Sequence, residues 1–444
     1  MKYIQIDARG CGAGKTRNTI VPRIRNNQYQ GVQTLLVVPS IRLQSEYRKF
    51  FCSDDIAIIN SEHQSRESVM AQLQTVDAPV ICITHAAFQL VPSSVFDKKR
   101  TDLIIDEVFN PYQSHQIKNF DSANRIWINT GEMFELNNKL IGEWQNLEVQ
   151  LSTPPGLIDR NKWNQLTNSN FEIYTSVAAA NNLVNNESES TELFQVLRED
   201  VLLGWRSVWI AAAVFQHTLF GHWLNSSSLE YTVVHEFECH KKTVDWHMPD
   251  DDTKGGFRWT KGKQLKEPGY LKDFSKYVDG HRTGRVIYNV NNNVSLPNIW
   301  GKKIDHNAHG VNEYSHYENY AYLSAINPNN NFKSFIQNHC GVSSEWTTHM
   351  SDPFAFAFSG YNAYQLLMRT ALRDPHHQGV VNAFFVDTKL AMDIMNLFES
   401  QIQNTHPNIP TNKYTSKVEK SAPLTSAQRN KIWRDKQKAK KNTS

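Results

Sequence analysis

Arg9-Gly-Cys-Gly-Ala-Gly-Lys-Thr16 is the stretch best suited to chemistry, a glycine-rich turn that ends in Lys-Thr and opens a helical segment. Such a turn offers backbone N–H groups and a helix N-terminus to phosphate oxygens. Lys15 would neutralise those oxygens and the Thr16 hydroxyl would bind Mg²⁺. The usual G-x-x-x-x-G-K-[ST] spacing puts glycine at position 9, where this chain has Arg9. The motif therefore rests on Gly12-Ala13-Gly14-Lys15-Thr16, with Gly10 as an extra flexible position, and a second, acidic element must complete the site. Asp102-Leu-Ile-Ile-Asp-Glu-Val108 has the right form: apolar residues end in adjacent carboxylates, as on a buried parallel strand that delivers acids to its C-terminal edge. Asp106 would hold the metal, and Glu107 would orient and activate an attacking water. Together the two motifs point to hydrolysis of a nucleoside triphosphate.

The elements that must position these residues read as two α/β units. Over 1–108, strands at 3–7, 34–40, 56–60, 80–84 and 102–108 alternate with helical segments from Lys15, at 42–51 and at 65–75. That alternation predicts a doubly wound parallel sheet. The polar, Asn- and Trp-rich stretch at about 110–205 reads as a helical insertion. Strand character returns at Val208–Val214 and Tyr231–Phe237, and a loop-rich linker follows with Asp250-Asp-Asp252 and Gly255-Gly256. A second alternation runs from about 270 to 400, including Arg285–Asn289, Tyr320–Ile326, a helix over 361–373, Val381–Val386 and a helix over 388–399. The expected organisation is a first lobe at 1–240 carrying the insertion, a second lobe at 241–405, and a basic tail at 406–444.

The length of 444 residues is ample for about three domains with large cores, and 40% hydrophobic with 20% charged residues describes a soluble globular protein. No run approaches the ~18 apolar residues of a membrane span, and the N-terminus reads as a strand rather than a signal peptide. Five scattered cysteines without a C-x-x-C pair suit reduced thiols in a cytoplasmic protein. The net charge of +3 is uneven. From Lys413 onward ten Lys/Arg face Glu419 and Asp435, so the tail carries +8 and the remainder −5. Such an arm suits phosphate backbones, or a solvated charged tail.

With both nucleotide motifs in place, the chain resembles the ATPase core of superfamily 2 helicases, in particular compact viral and phage members and flavivirus-type helicases. The resemblance covers most of 1–110 and 300–390. It implies two RecA-like lobes and a set of motifs in order. Pro39, Ser40 and Arg42 look like motif Ia, and Thr84-His85 is similar to the next segment that contacts a bound strand. Asp106-Glu107-Val-Phe109 stands where D-E-x-H or D-E-x-D is expected, so Phe109 departs from the pattern. Ala211–Ala213 is the nearest candidate for the coupling Ser-Ala-Thr motif, without its hydroxyls. His309-Gly310-Val-Asn312 looks like motif V. Gln365-x-x-x-Arg369-x-x-x-Arg373 looks like motif VI, with Met368 in place of glycine and the last arginine one place late; a spacing of four keeps these residues on one helical face.

The resemblance implies an NTP-dependent helicase or translocase on nucleic acid, with single-stranded DNA preferred over RNA, working in viral or phage replication beside replication proteins. ATP or another NTP with Mg²⁺ is the implied cofactor set. Gly12, Ala13, Gly14, Lys15, Thr16 and Arg17 hold the nucleotide; Thr16 and Asp106 hold the metal. Lys15, Glu107, Gln365, Arg369 and Arg373 serve hydrolysis. With nothing before the first strand, the adenine-reading glutamine motif has no room, and several NTPs should be accepted. The alternatives are a nucleic-acid-stimulated ATPase or packaging motor that separates no strands, and a non-hydrolysing binding module on a helicase scaffold.

Overall fold

The computed structural model describes residues 4–60, 66–118, 134–149, 166–184, 190–249, 268–291, 294, 299–306, 313–326, 328–340, 353–374, 376–399 and 401–403. The basic tail and the His309–Asn312 segment lie outside them.

The first lobe begins with β1 (Ile4–Asp7), β2 (Gln33–Val38), β3 (Ile56–Ile59), β4 (Val80–Thr84) and β5 (Thr101–Asp106). A π-helical turn, Thr16–Ile20, leads into α1 (Val21–Tyr29); α2 (Ile41–Arg48), α3 (Arg66–Thr75) and α4 (His85–Leu90) follow the next strands. Leu35–Val38 and Leu103–Ile105 are wholly buried, so these continuous apolar runs are covered on both faces, as in a parallel sheet wrapped by helices. Ser40 and Thr84 end their strands as N-caps, their hydroxyls accepting from the backbone N–H of Leu43 and Ala87.

The chain then makes β6 (Tyr112–Lys118), β7 (Phe134–Ile141), β8 (Trp144–Val149), β9 (Phe171–Ser176), α5 (Val177–Val184) and β10 (Ser190–Leu197). These five strands form an antiparallel sheet in the order β6-β10-β9-β8-β7. The stretch expected to be a helical insertion is therefore largely a β insertion among its described residues. Alternation decides it: Phe194 and Val196, with Tyr174 paired opposite Phe194, bury into the first-lobe core, while Gln195 between them turns to the other face and bonds His115.

After the insertion, β11 (Ser207–Ala211), α6 (Leu219–Ser226) and β12 (Tyr231–His235) complete a seven-stranded, all-parallel sheet ordered β12-β1-β11-β5-β2-β4-β3. The register sets Asp7 beside Ala211 and Ala211 beside Asp106. With strands about 4.8 Å apart, the phosphate loop after β1 and the acids after β5 emerge roughly 10 Å from each other on one sheet edge.

The second lobe comprises β13 (Val244–His247), α7 (Pro268–His281), β14 (Val286–Asn289), β15 (Gly301–Lys303), β16 (Asn319–Tyr322), α8 (Asn330–Cys340), α9 (Tyr361–Leu367), β17 (Val381–Phe385), α10 (Thr388–Met395) and β18 (Gln401–Gln403). Its six strands are all parallel, ordered β15-β14-β16-β17-β13-β18. The protein is thus an α/β molecule of two doubly wound, RecA-like parallel sheets.

One second-lobe helix does not pack on its own sheet. The aromatic face of α8 joins the first-lobe core: the Phe335 ring lies 5.0 Å from Phe194 and 5.4 Å from Trp144, and Asn331 and Asn329 bond Glu192. This contact fastens the second lobe to the insertion sheet. No helix among the described residues is long and apolar enough to cross a membrane.

Candidate nucleotide site between the lobes

Gly12 and Gly14 hold positive φ angles of 81° and 73°, which a glycine adopts without strain and which turn successive amides toward one concavity. Arg9, the departure from the usual spacing, has a structural task. Its guanidinium donates to the wholly buried Asp7 at 2.8 and 2.5 Å and to the Thr19 hydroxyl at 2.5 Å. Burial alone would raise the Asp7 carboxyl, but the Arg9 hydrogen bonds and charge outweigh it and hold the group below its usual range. Gly10 is required by contact: a Cβ there would sit 2.5 Å from the His240 ring. The Lys15 ammonium donates to the Arg9 and Gly10 carbonyls at 2.7 and 3.1 Å, so it lies folded over the loop it would share with phosphates.

Asp106 is buried, and its carboxylate accepts from the Tyr47 hydroxyl at 2.6 Å. Burial, with the neighbouring Glu107 charge, pushes Asp106 up to about 6, while Tyr47, Lys15 and Arg373 pull it back. Thr16 and Asp106 both line the cleft, a hydroxyl and a carboxylate of the kind that fits a hard cation such as Mg²⁺, with Tyr47 bonded to the carboxylate from behind. Nothing in the local sequence marks Tyr47, which reaches Asp106 from the buried side of α2. Glu107 departs from strand geometry with φ 63°, a left-handed conformation rare outside glycine, and its amide donates to Ala211 at 2.8 Å. The Ala211–Ala213 segment therefore meets the acidic edge through backbone, and Ala212 likewise donates to Asp7.

Across the cleft, Arg369 is nearly buried and lies 3.7 Å from Glu107. Gln365, Met368, Arg369 and Arg373 face Cys11–Arg17, Asp106 and Glu107 around a cleft of about 380 Å³. All the expected nucleotide and hydrolysis residues are therefore brought together. The expected single helical face is not how this happens. α9 ends at Leu367, where Thr370 donates to the Leu367 carbonyl at 2.7 Å, and Arg373 sits on a separate short turn, Ala371–Arg373. Burial and the nearby Arg369 charge lower the Arg373 guanidinium from its ordinary value.

Phe109 packs against His85 at 5.4 Å, Phe88 at 5.9 Å and Phe220 at 5.1 Å. An aromatic cluster thus stands where a polar link from the acidic motif was expected. Pro39, His85 and Glu107 share a groove of about 370 Å³ with Phe358, Tyr361 and Asn362 of the second lobe. Arg42 reaches across to Glu313 at 3.3 Å; Lys302 also bonds that carboxylate and, with Arg42, holds it down at about 2. His309, Gly310 and Asn312 fall outside the described residues.

No protein-family model matches the chain, and no curated protein matches it. Among solved structures it is similar to that of S. tokodaii Xpd4, at 10% identity and a TM-score of 0.47, covering 90% of this chain and 96% of that one. It is also similar to a structure described as an XPD helicase, at 9% identity and a TM-score of 0.44, covering 87% of this chain and 92% of that one. The DUF1998 helicase MrfA bound to DNA shows 9% identity and a TM-score of 0.34, with 91% of this chain matched to 48% of that one. Strand order and parallel register define the two doubly wound sheets of this chain.

Proposed function

We propose that the chain is a nucleoside-triphosphate-driven motor on nucleic acid, a helicase or translocase. The observation that carries this reading is the Arg369–Glu107 contact across the cleft. It joins a second-lobe arginine to a first-lobe acid beside a phosphate loop and a buried Asp106. Hydrolysis at such a site depends on, and in turn changes, the fit of the two lobes.

Lys15 and the Gly12–Gly14 amides would hold the β- and γ-phosphates, and Thr16 and Asp106 would hold Mg²⁺, which supplies charge neutralisation. Glu107, turned into the cleft by its backbone, accepts a proton from the attacking water. Arg369 and Arg373 stabilise charge on the phosphoryl oxygens, and Gln365, bonded to Tyr361 at 2.9 Å, helps place the water. The groove shared by Pro39, His85 and Glu107 supports a path for the strand next to the chemistry, with Ser40 and Thr84 capping the helices that follow β2 and β4 and Arg42 in the first turn of α2. Single-stranded DNA is the track favoured, and viral or phage replication is the setting the motif resemblance implies.

NTP hydrolysis by wild type and Lys15→Ala, with Mg²⁺ and with or without single-stranded DNA or RNA, tests the reading. Stimulation by one polymer that disappears in Lys15→Ala is the expected result; no Lys15-dependent hydrolysis overturns it. An ATPase that separates no strands is the second reading, favoured by the α8 contact that fastens the lobes together. A strand-displacement assay decides between them.

A further inference from the structure

The phosphate cleft does not end at the loop. Cys11, Gly12, Ala13, Met368 and Arg373 also border a larger chamber of about 630 Å³. That volume falls within the roughly 300–1,000 Å³ usual for small-ligand sites. One wall is the segment linking the lobes, His235–Thr243, and the other is Leu372, Arg373 and His377–Gly379.

Both walls are fixed by hydrogen bonds. Ala8 donates to the His235 carbonyl at 2.8 Å, His240 donates its amide to Leu397 at 2.8 Å, and Glu399 donates to His240 at 2.9 Å. Lys242 donates to the Asp374 and His377 carbonyls at 2.9 and 3.0 Å. The Tyr364 hydroxyl bonds His240 Nε2 at 2.7 Å and accepts from the Cys11 amide at 3.1 Å, so the chamber is tied to the phosphate loop itself. Burial, with the Lys15 charge, lowers His240 to about 4, which keeps its ring neutral near pH 7.

Resting on the function proposed above, we infer that this chamber is the nucleoside subsite. The link between the lobes, with Glu236, Glu238 and His240, and the facing residues Leu372, Arg373 and His377–Gly379 would take the sugar and base. Asp106 and Glu107 stand at the far end of the cleft, so a triphosphate whose γ-phosphate lies there sends its nucleoside out past Cys11. The 380 Å³ cleft already has phosphates, metal and water to contain, whereas the chamber adds carboxylates to accept from ribose hydroxyls and exocyclic amines. Nucleotide preference would then be set by the hinge between the lobes, so that reading the base and positioning the lobes share one segment.

Cys239 lines the chamber and is exposed; Cys52 is exposed and lines neither the chamber nor the phosphate cleft, so it serves as the control thiol. The test is the alkylation rate of each thiol, followed by mass spectrometry in wild-type protein with Mg²⁺. The additions are a non-hydrolysable ATP analogue or inorganic tripolyphosphate, with analogue binding measured in parallel by equilibrium dialysis. At about 90% occupancy the analogue should slow Cys239 modification about tenfold, and tripolyphosphate should not. Analogue bound with Cys239 unprotected, or Cys52 protected in its place, overturns the subsite and leaves the proposed motor standing. Equal protection by tripolyphosphate also overturns it, because lobe closure alone then shields the thiol. An analogue that does not bind refutes the nucleotide site itself, and the subsite with it.

Discussion

Glu107 combines a left-handed backbone with a contact to a buried arginine, a conformation that costs of order 1–3 kcal/mol unless its surroundings impose it. Glu107→Gln should lower hydrolysis about 10²–10⁴-fold, the usual worth of a positioned base, while nucleotide binding by dialysis stays near wild type. Arg9 poses a different problem. Removing it strands the Asp7 carboxylate in the core, so Arg9→Ala should destabilise the fold by about 3–5 kcal/mol in urea titrations. A loss below about 1 kcal/mol would show that the pair is not structural. His222 is buried on α6, stacked on Phe354, and burial lowers it to about 4. Because its folded value lies below its unfolded one, its contribution to stability is complete above about pH 6.5 and is lost as pH falls toward 4. Near pH 5 stability should therefore drop by about 1.4 kcal/mol per pH unit from this group, and His222→Phe should flatten the slope by that amount.

Among the elements, α8 packs its aromatic face onto the first lobe and so ties the second lobe to it. Phe335 meets Phe194, Trp144, Tyr174 and Tyr112 from the insertion side, with ring centroids 5.0–6.5 Å apart. Truncating it to alanine should cost about 3–5 kcal/mol, as for other fully buried aromatics. Unfolding followed separately through each lobe should then lose its coincidence; a single shared transition at nearly wild-type stability would refute the fastening role. The insertion was misread from sequence because Asn-rich segments and short alternating runs give a weak local signal. Its strands gain stability only by pairing with each other and covering α8. The motif VI segment shows a related limit: spacing of four suggested a helix, but Thr370 ends α9 early, and the arginines reach the cleft from turns.

For the molecule as a whole, the two sheets face each other across a cleft and the charge is divided between a basic tail and a slightly acidic body. If the tail binds phosphate backbones, deleting 406–444 should weaken single-strand binding and reduce the slope of log affinity against log salt. About 0.7 is lost per phosphate contact removed. An unchanged slope would assign the tail another task. Arg369→Ala, which removes the second-lobe partner of Glu107, should abolish most stimulated hydrolysis yet retain nucleotide binding, measured by steady-state rates and dialysis side by side.

The two candidate motifs are legible in the chain because each is a short local pattern. Gly12–Thr16 and Asp106-Glu107 announce themselves by residue type and order, and the parallel lobes by continuous buried runs such as Leu35–Val38. The tertiary structure decided what depends on neighbours distant in sequence. It set Asp7, Ala211 and Asp106 in one register row and put Tyr47 on Asp106. It also brought α8 onto the insertion and built a chamber from the segment between the lobes. Each of these follows from burial and pairing between segments far apart in the chain, where no periodicity in the sequence records the partner.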